Sequence, residues 1–70
     1  MSAESFADLV QGKRLAAGLS REALAYRSGL SYPAVRSIEN GHRPDPRLSS
    51  VARLARALDL SAADIIRTGA

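Results

Sequence analysis

The tripeptide Gly-Leu-Ser occurs twice, at residues 18–20 and 29–31, eleven positions apart, and this repeated junction limits what the chain can fold into. Glycine can take the left-handed conformation that closes a helix, and serine accepts hydrogen bonds from the orphan amides that open the next one. The leucine between them is placed to pack against the residue five positions on, Leu24 in the first case and Val35 in the second. Leu60-Ser61 repeats the leucine and cap, with Ile65 as the contact and Asp64 completing a capping box. Ser5 with Asp8 offers a similar start near the N-terminus. Pro33 fixes one boundary further: proline is costly inside a helix but tolerated in the first turn, so a helix begins at about Ser31 or Tyr32.

Five helices are therefore expected. The first runs over about 5–17, with Phe6, Val10 and Ala17 on one face; the second covers 21–28 and the third 32–40. The fourth is placed at 46–58, with Asp45-Pro46 as cap and first helical residue and Leu48, Val51, Leu54, Ala55 and Leu58 as a 3.6-residue stripe. The fifth is short, 62–67. No segment alternates as a strand should, so the class is all-α. Seventy residues make one small domain, 1–70, near the size where a single core is only marginally sufficient.

Composition removes several function classes. There is no cysteine and only one histidine, His42, so disulfide frameworks are out and a metal site is not expected. No apolar run approaches the roughly 20 residues that span a bilayer, and the N-terminus carries Glu4 and Asp8 instead of a basic leader. A soluble, cytoplasmic protein of bacterial or phage origin is expected, with no membrane partner, cofactor or small-molecule ligand. Nine of the ten basic residues lie between Lys13 and Arg56, against only Glu22, Glu39 and Asp45 in that span. A basic middle between acidic ends points to an anionic partner.

Residues 21 to 40 carry the most specific pattern. Two short helices flank a glycine turn. Ala25 is small where steeply crossed helices approach, Gly29 supplies the turn, and Leu24, Leu30, Val35 and Ile38 wedge the pair from beneath. This is the helix-turn-helix pattern. With Leu30, Val35 and Ile38 committed to the core, Tyr32, Pro33, Arg36, Ser37 and Asn40 face outward.

The chain resembles the phage-repressor family of helix-turn-helix proteins, the Cro and XRE type, over nearly its whole length. "RLAAGLSREALAYRSGLS" is similar to the family's first two helices, "VRSIENGHRPDP" to the end of its recognition helix and the following loop, and "LARALDLSAADII" to its last two helices. The resemblance implies a compact five-helix, lambda-repressor-like domain whose third helix enters the major groove of double-stranded DNA, usually as a homodimer. It implies a structural pair of Arg14 and Glu39, positions where the family commonly has arginine and glutamate. Asn40, Arg43 and Arg47 match family positions that grip the DNA backbone. Three positions depart from the family: Arg21 stands where glutamine is usual, Lys13 where an aliphatic residue is, and Asp59 where glycine is.

The residues themselves support the same roles. Arg36 is suited to base reading because its planar fork can donate two hydrogen bonds to guanine O6 and N7. Tyr32 and Pro33 suit a thymine methyl, and Ser37 can pair with several base edges. Arg21 and the helix amides near Ser20 and Ser31 suit phosphate. Arg14 and Glu39 each border an apolar face, and a bidentate pair would relieve the cost of burying either one. Lys13 falls on the same face, its stem packing while its amine reaches water or DNA. Leu60, Ile65 and Ile66 offer more apolar surface than so short a helix needs internally, which marks them as a dimer interface.

The expected function is a sequence-specific transcription regulator, a repressor that binds an inverted-repeat operator. An enzyme is not expected: His42 lies in a proline-bounded loop, with no nucleophile turn or phosphate-binding glycine loop beside it. The rival is a protein-interaction module with the same fold, such as an antitoxin or accessory subunit. Leu15, pointing away from the stripe of Phe6 and Val10, is its one sign in the sequence.

Overall fold

In the computed structural model, which describes residues 4–42 and 46–69, the chain forms α1 (Phe6–Ala16), α2 (Arg21–Ser28), α3 (Tyr32–Glu39), α4 (Leu48–Leu58) and α5 (Ala62–Arg67). No strand occurs among the described residues. No helix is long and apolar enough to cross a membrane.

Serine opens four of the helices by the same device. Ser5, Ser20, Ser31 and Ser61 have extended backbones, and each hydroxyl accepts from the amide three residues on, at 3.1, 3.0, 3.2 and 3.0 Å. α4 differs. Its N-cap is Arg47, with no side-chain cap, so Pro46 lies outside the helix instead of beginning it; Asp45 lies outside the described residues. The physical reason is visible at Leu48, which the apolar stripe counts as core but which is 84% exposed. Nothing in the interior draws the helix further back. α1 also ends sooner than its stripe suggests, with Ala17 exposed as the C-cap and Arg14 taking the inward position one turn earlier.

Two reversals set the chain's path. Gly29 closes α2 in the left-handed conformation (φ 76°), donating its amide to Ala25. Asp59 does the same for α4 (φ 56°, ψ 47°), the Leu60 amide reaching the Ala55 carbonyl at 2.9 Å. Aspartate is among the few residues with a β-carbon that tolerate this region, so the departure from glycine leaves the turn intact.

α3 and α4 both pack on α1 and α2. The core holds Phe6, Leu9, Val10, Leu24, Ala25, Val35, Ile38, Val51, Leu54, Leu58 and Leu60. The junction leucines turn inward: Leu19 and Leu30 lie against this core, and Leu60 is inside it with Ile65 packed against the cluster. Leu60 is therefore not available to a partner subunit, because its side chain is spent anchoring α5.

That anchor includes a reciprocal cap. Ser61 donates its amide to Asp64 Oδ2 at 3.1 Å while Asp64 donates its amide to the Ser61 hydroxyl, and Arg67 donates to Asp64 Oδ1 at 2.6 Å. The Ser61 amide, then its hydroxyl, hold the Asp64 carboxyl below its ordinary value, with lesser help from Arg67 and Lys13. A carboxyl lowered on folding contributes stability that is present above its unfolded value and lost as pH falls through the folded one. In Ser61→Ala, the Asp64 titration followed by carbon-detected NMR should move up toward the ordinary carboxylate range. The α5 amides should exchange faster than in the parent above the carboxyl's titration range, and this excess should shrink as pH falls through it. An unmoved titration would show that the Ser61 hydroxyl does not act on this carboxyl.

Candidate nucleic-acid interface

α3 divides its residues sharply between inside and outside. Val35, Ile38 and Glu39 are buried, while Tyr32, Pro33, Arg36 and Asn40 are exposed and Ser37 is half-buried. The outward residues border one open depression of about 280 Å³, lined by Tyr32, Pro33, Arg36, Ser37, Asn40 and His42. All four base-reading candidates thus share a single surface. His42 joins them because its amide donates to the Ser37 carbonyl at 3.1 Å, folding the chain back along the helix end. Sequence spacing alone had no means of assigning it there.

The inward side of α3 is held by charge as well as by aliphatic packing. The Glu39 side chain is fully buried, and each of its oxygens is occupied. Arg14 Nε donates to Oε2 at 2.8 Å and Arg14 Nη2 to Oε1 at 3.0 Å, a bidentate fork. Arg21 Nε donates to Oε1 at 3.2 Å. Arg14 Nη1 completes the network on the Leu19 carbonyl at 2.9 Å. One carboxylate thereby ties α3 to α1, to the α1–α2 link and to the first residue of α2. No buried side-chain polar atom among the described residues lacks a partner.

Arg21 is the residue whose surroundings the sequence misjudged. As a phosphate contact it should extend freely from the start of α2, yet one edge of its guanidinium is engaged with Glu39 and its side chain is only 28% exposed. The signal was present: an arginine in the first turn of α2 is a second cation within reach of the buried glutamate.

The helix ends differ in what they can offer an anion. The hydroxyls of Ser20 and Ser31 are already occupied by their own caps. At α2 the amides of Arg21 and Glu22 remain, whereas at α3 Pro33 has none, leaving Tyr32. Asn40 and Arg47 are exposed at the two sides of the following loop; Arg43 lies outside the described residues. Lys13 turns to the opposite region, sharing a concavity with Glu4, Leu9, Gly12, Asp64 and Arg67. Its charge therefore acts beside α5, away from the α3 surface. Of the remaining dimer candidates, Ile65 packs partly on the core and Ile66 is 72% exposed. Leu15 is exposed as well.

A short helix wedged by aliphatic side chains beneath, with a polar and cationic face outward, defines a helix-turn-helix reader. Comparison with protein-family models agrees: the model described as Helix-turn-helix matches residues 10–65. The chain belongs to this helix-turn-helix family, of the Cro and XRE type, a class of DNA-binding transcription regulators. Among solved structures it is similar to the restriction-modification controller protein C.AhdI from Aeromonas hydrophila, at 37% identity and a TM-score of 0.77 over 86% of this chain and 89% of that one. No curated protein sequence matches it.

Removing one partner from a buried ion pair costs about 3–5 kcal/mol because the other charge is stranded, against a total of roughly 0.05–0.15 kcal/mol per residue for a natural domain. Glu39→Ala, which strands two arginines, should therefore cost a large share of the stability in urea denaturation. Arg21→Ala should cost clearly less, since its side chain is partly in water. Equal midpoints for Glu39→Ala and the parent would show that the network does not hold α3.

Proposed function

We propose that residues 1–70 act as one DNA-binding domain, a sequence-specific regulator that inserts α3 into the major groove of an inverted-repeat operator as a homodimer and represses transcription there. The observation that carries this reading is the division of α3, with Val35, Ile38 and Glu39 buried and Tyr32, Pro33, Arg36 and Ser37 facing out around one depression. The major groove, about 12 Å wide, admits one such helix. Arg36 is the principal base reader, forking onto a guanine; Tyr32 and Pro33 meet a thymine methyl and Ser37 a neighbouring base edge.

Phosphate contacts surround the reading helix and set its position. The α2 amides after Ser20, the free edge of Arg21, the Tyr32 amide after the Ser31 cap, Asn40 and Arg47 make these contacts, joined by Arg43 on the strength of its family position alone. Two copies join through the α5 end, where Ile66 supplies exposed apolar surface. The likeness to a restriction-modification controller protein supports a regulatory locus of that kind.

Selection of bound duplexes from random sequence should return a palindrome with half-sites about one helical turn, roughly 34 Å, apart. On that duplex Arg36→Ala should cost about 1–3 kcal/mol while changing affinity for random DNA much less. Affinity should fall steeply with salt as counterions are released. A complex insensitive to salt would favour an apolar protein partner instead, and equal losses on both DNAs would make Arg36 a phosphate contact.

A further inference from the structure

A second cationic surface lies away from the α3 face. Ser49, Ala52, Arg53 and Arg56 are spaced i, i+3, i+4 and i+7 along α4, so they form one stripe. α2 packs against α4 and brings Arg27 and Ser28 to the same place. Together the six residues line a concavity of about 320 Å³ with no acidic side chain among them. Neither Arg27, Arg53 nor Arg56 has an ion-pair partner among the described residues.

The concavity is built as well as charged. Arg53 lies over the α2–α3 turn, its Nη1 only 2.7 Å from where a β-carbon on Gly29 would stand. The glycine that lets the chain reverse also leaves the space in which this guanidinium rests. Ser28 is buried, its hydroxyl donating to the Ala25 carbonyl and accepting from the Leu30 amide, so it forms a fixed wall. The Ser49 hydroxyl makes no hydrogen bond among the described residues and is available.

Three guanidinium groups held around one space without a counter-charge repel one another, and an anion between them relieves that cost. Their planar forks match the tetrahedral oxygens of phosphate with paired donors. The lining holds a single apolar side chain, Ala52, and lacks the aromatic or large aliphatic anchor around which protein interfaces are organised. We propose that the Arg27, Arg53 and Arg56 concavity is a phosphate-binding site separate from the base-reading face. It takes either the phosphodiester backbone of DNA flanking the operator or a free phosphorylated small molecule.

The test has two arms and uses the whole chain. In the first, arginine Nε–Hε and backbone amide resonances are followed by NMR during titration with inorganic pyrophosphate, against sodium chloride of equal ionic strength. Saturable shifts are expected at Arg27, Arg53, Arg56 and Ser49, and the backbone amide shifts at these four positions should vanish in the variant R27Q/R53Q/R56Q. All three side chains are exposed, so the variant should keep the parent's circular dichroism and melting temperature.

In the second arm, parent and variant bind the selected duplex trimmed to its half-sites and the same duplex with flanks of about one helical turn. A loss confined to the flanked duplex, with the salt slope reduced by about 1 for each phosphate released, assigns the site to DNA backbone, whatever pyrophosphate alone does. Pyrophosphate binding with equal affinity of parent and variant for both duplexes assigns it to a free phosphorylated ligand. The proposal is overturned if pyrophosphate produces no saturable shift at these residues and the variant binds both duplexes as tightly as the parent does. The pyrophosphate arm needs no DNA, so failure of the operator reading would show in the Arg36 measurements and leave this arm decisive.

Discussion

The carboxylate of Glu39 is the interaction on which the arrangement of this chain turns. It is the last residue of α3, wholly buried, and engaged on both oxygens by Arg14 and Arg21. An eight-residue helix has little intrinsic stability, since nucleation is costly and so few residues follow it. Packing must supply the rest, and here it comes in two forms. Val35 and Ile38 provide non-directional burial, which holds the helix down. The forked ion pair is directional and fixes how far the helix can roll or slide against α1 and α2. A roll by even one residue would carry Arg36 off the outward surface it shares with Tyr32, Pro33 and Ser37.

The same network explains the shape of the first half of the molecule. Arg14 reaches past Glu39 to the Leu19 carbonyl, so the link that follows the first Gly-Leu-Ser glycine is held by the guanidinium that pairs with α3. Charge in the interior and the chain's local turns are one construction. The aliphatic core is small, and the Arg14–Glu39 fork adds a directional tie beside it.

Much of this could be read from residue order because the decisive signals are local. Serine hydroxyls reach amides three positions away, glycine permits a reversal that depends only on its own backbone, and Pro33 excludes a helix across its own amide. Such features placed α2, α3 and α5 and separated the inward from the outward residues of α3. What escaped depends on distant parts of the chain. Leu48 fits the stripe of α4, yet no neighbour reaches it. Leu60 looked like surplus apolar surface, yet the core closes over it. The second cation on Glu39, the approach of His42 to α3 and the gathering of Arg27 with Arg53 and Arg56 are consequences of how helices cross, which spacing along one helix does not encode.

Pro33 carries one consequence beyond its role as a helix start. The opening turn of most helices is a cup of backbone donors that draws in whatever negative charge comes near. With a ring nitrogen in that cup and another donor already given to Ser31, the first turn of α3 keeps one free amide, that of Tyr32, where the first turn of α2 keeps two. A tip so sparing of backbone donors leaves what it meets to its outward side chains.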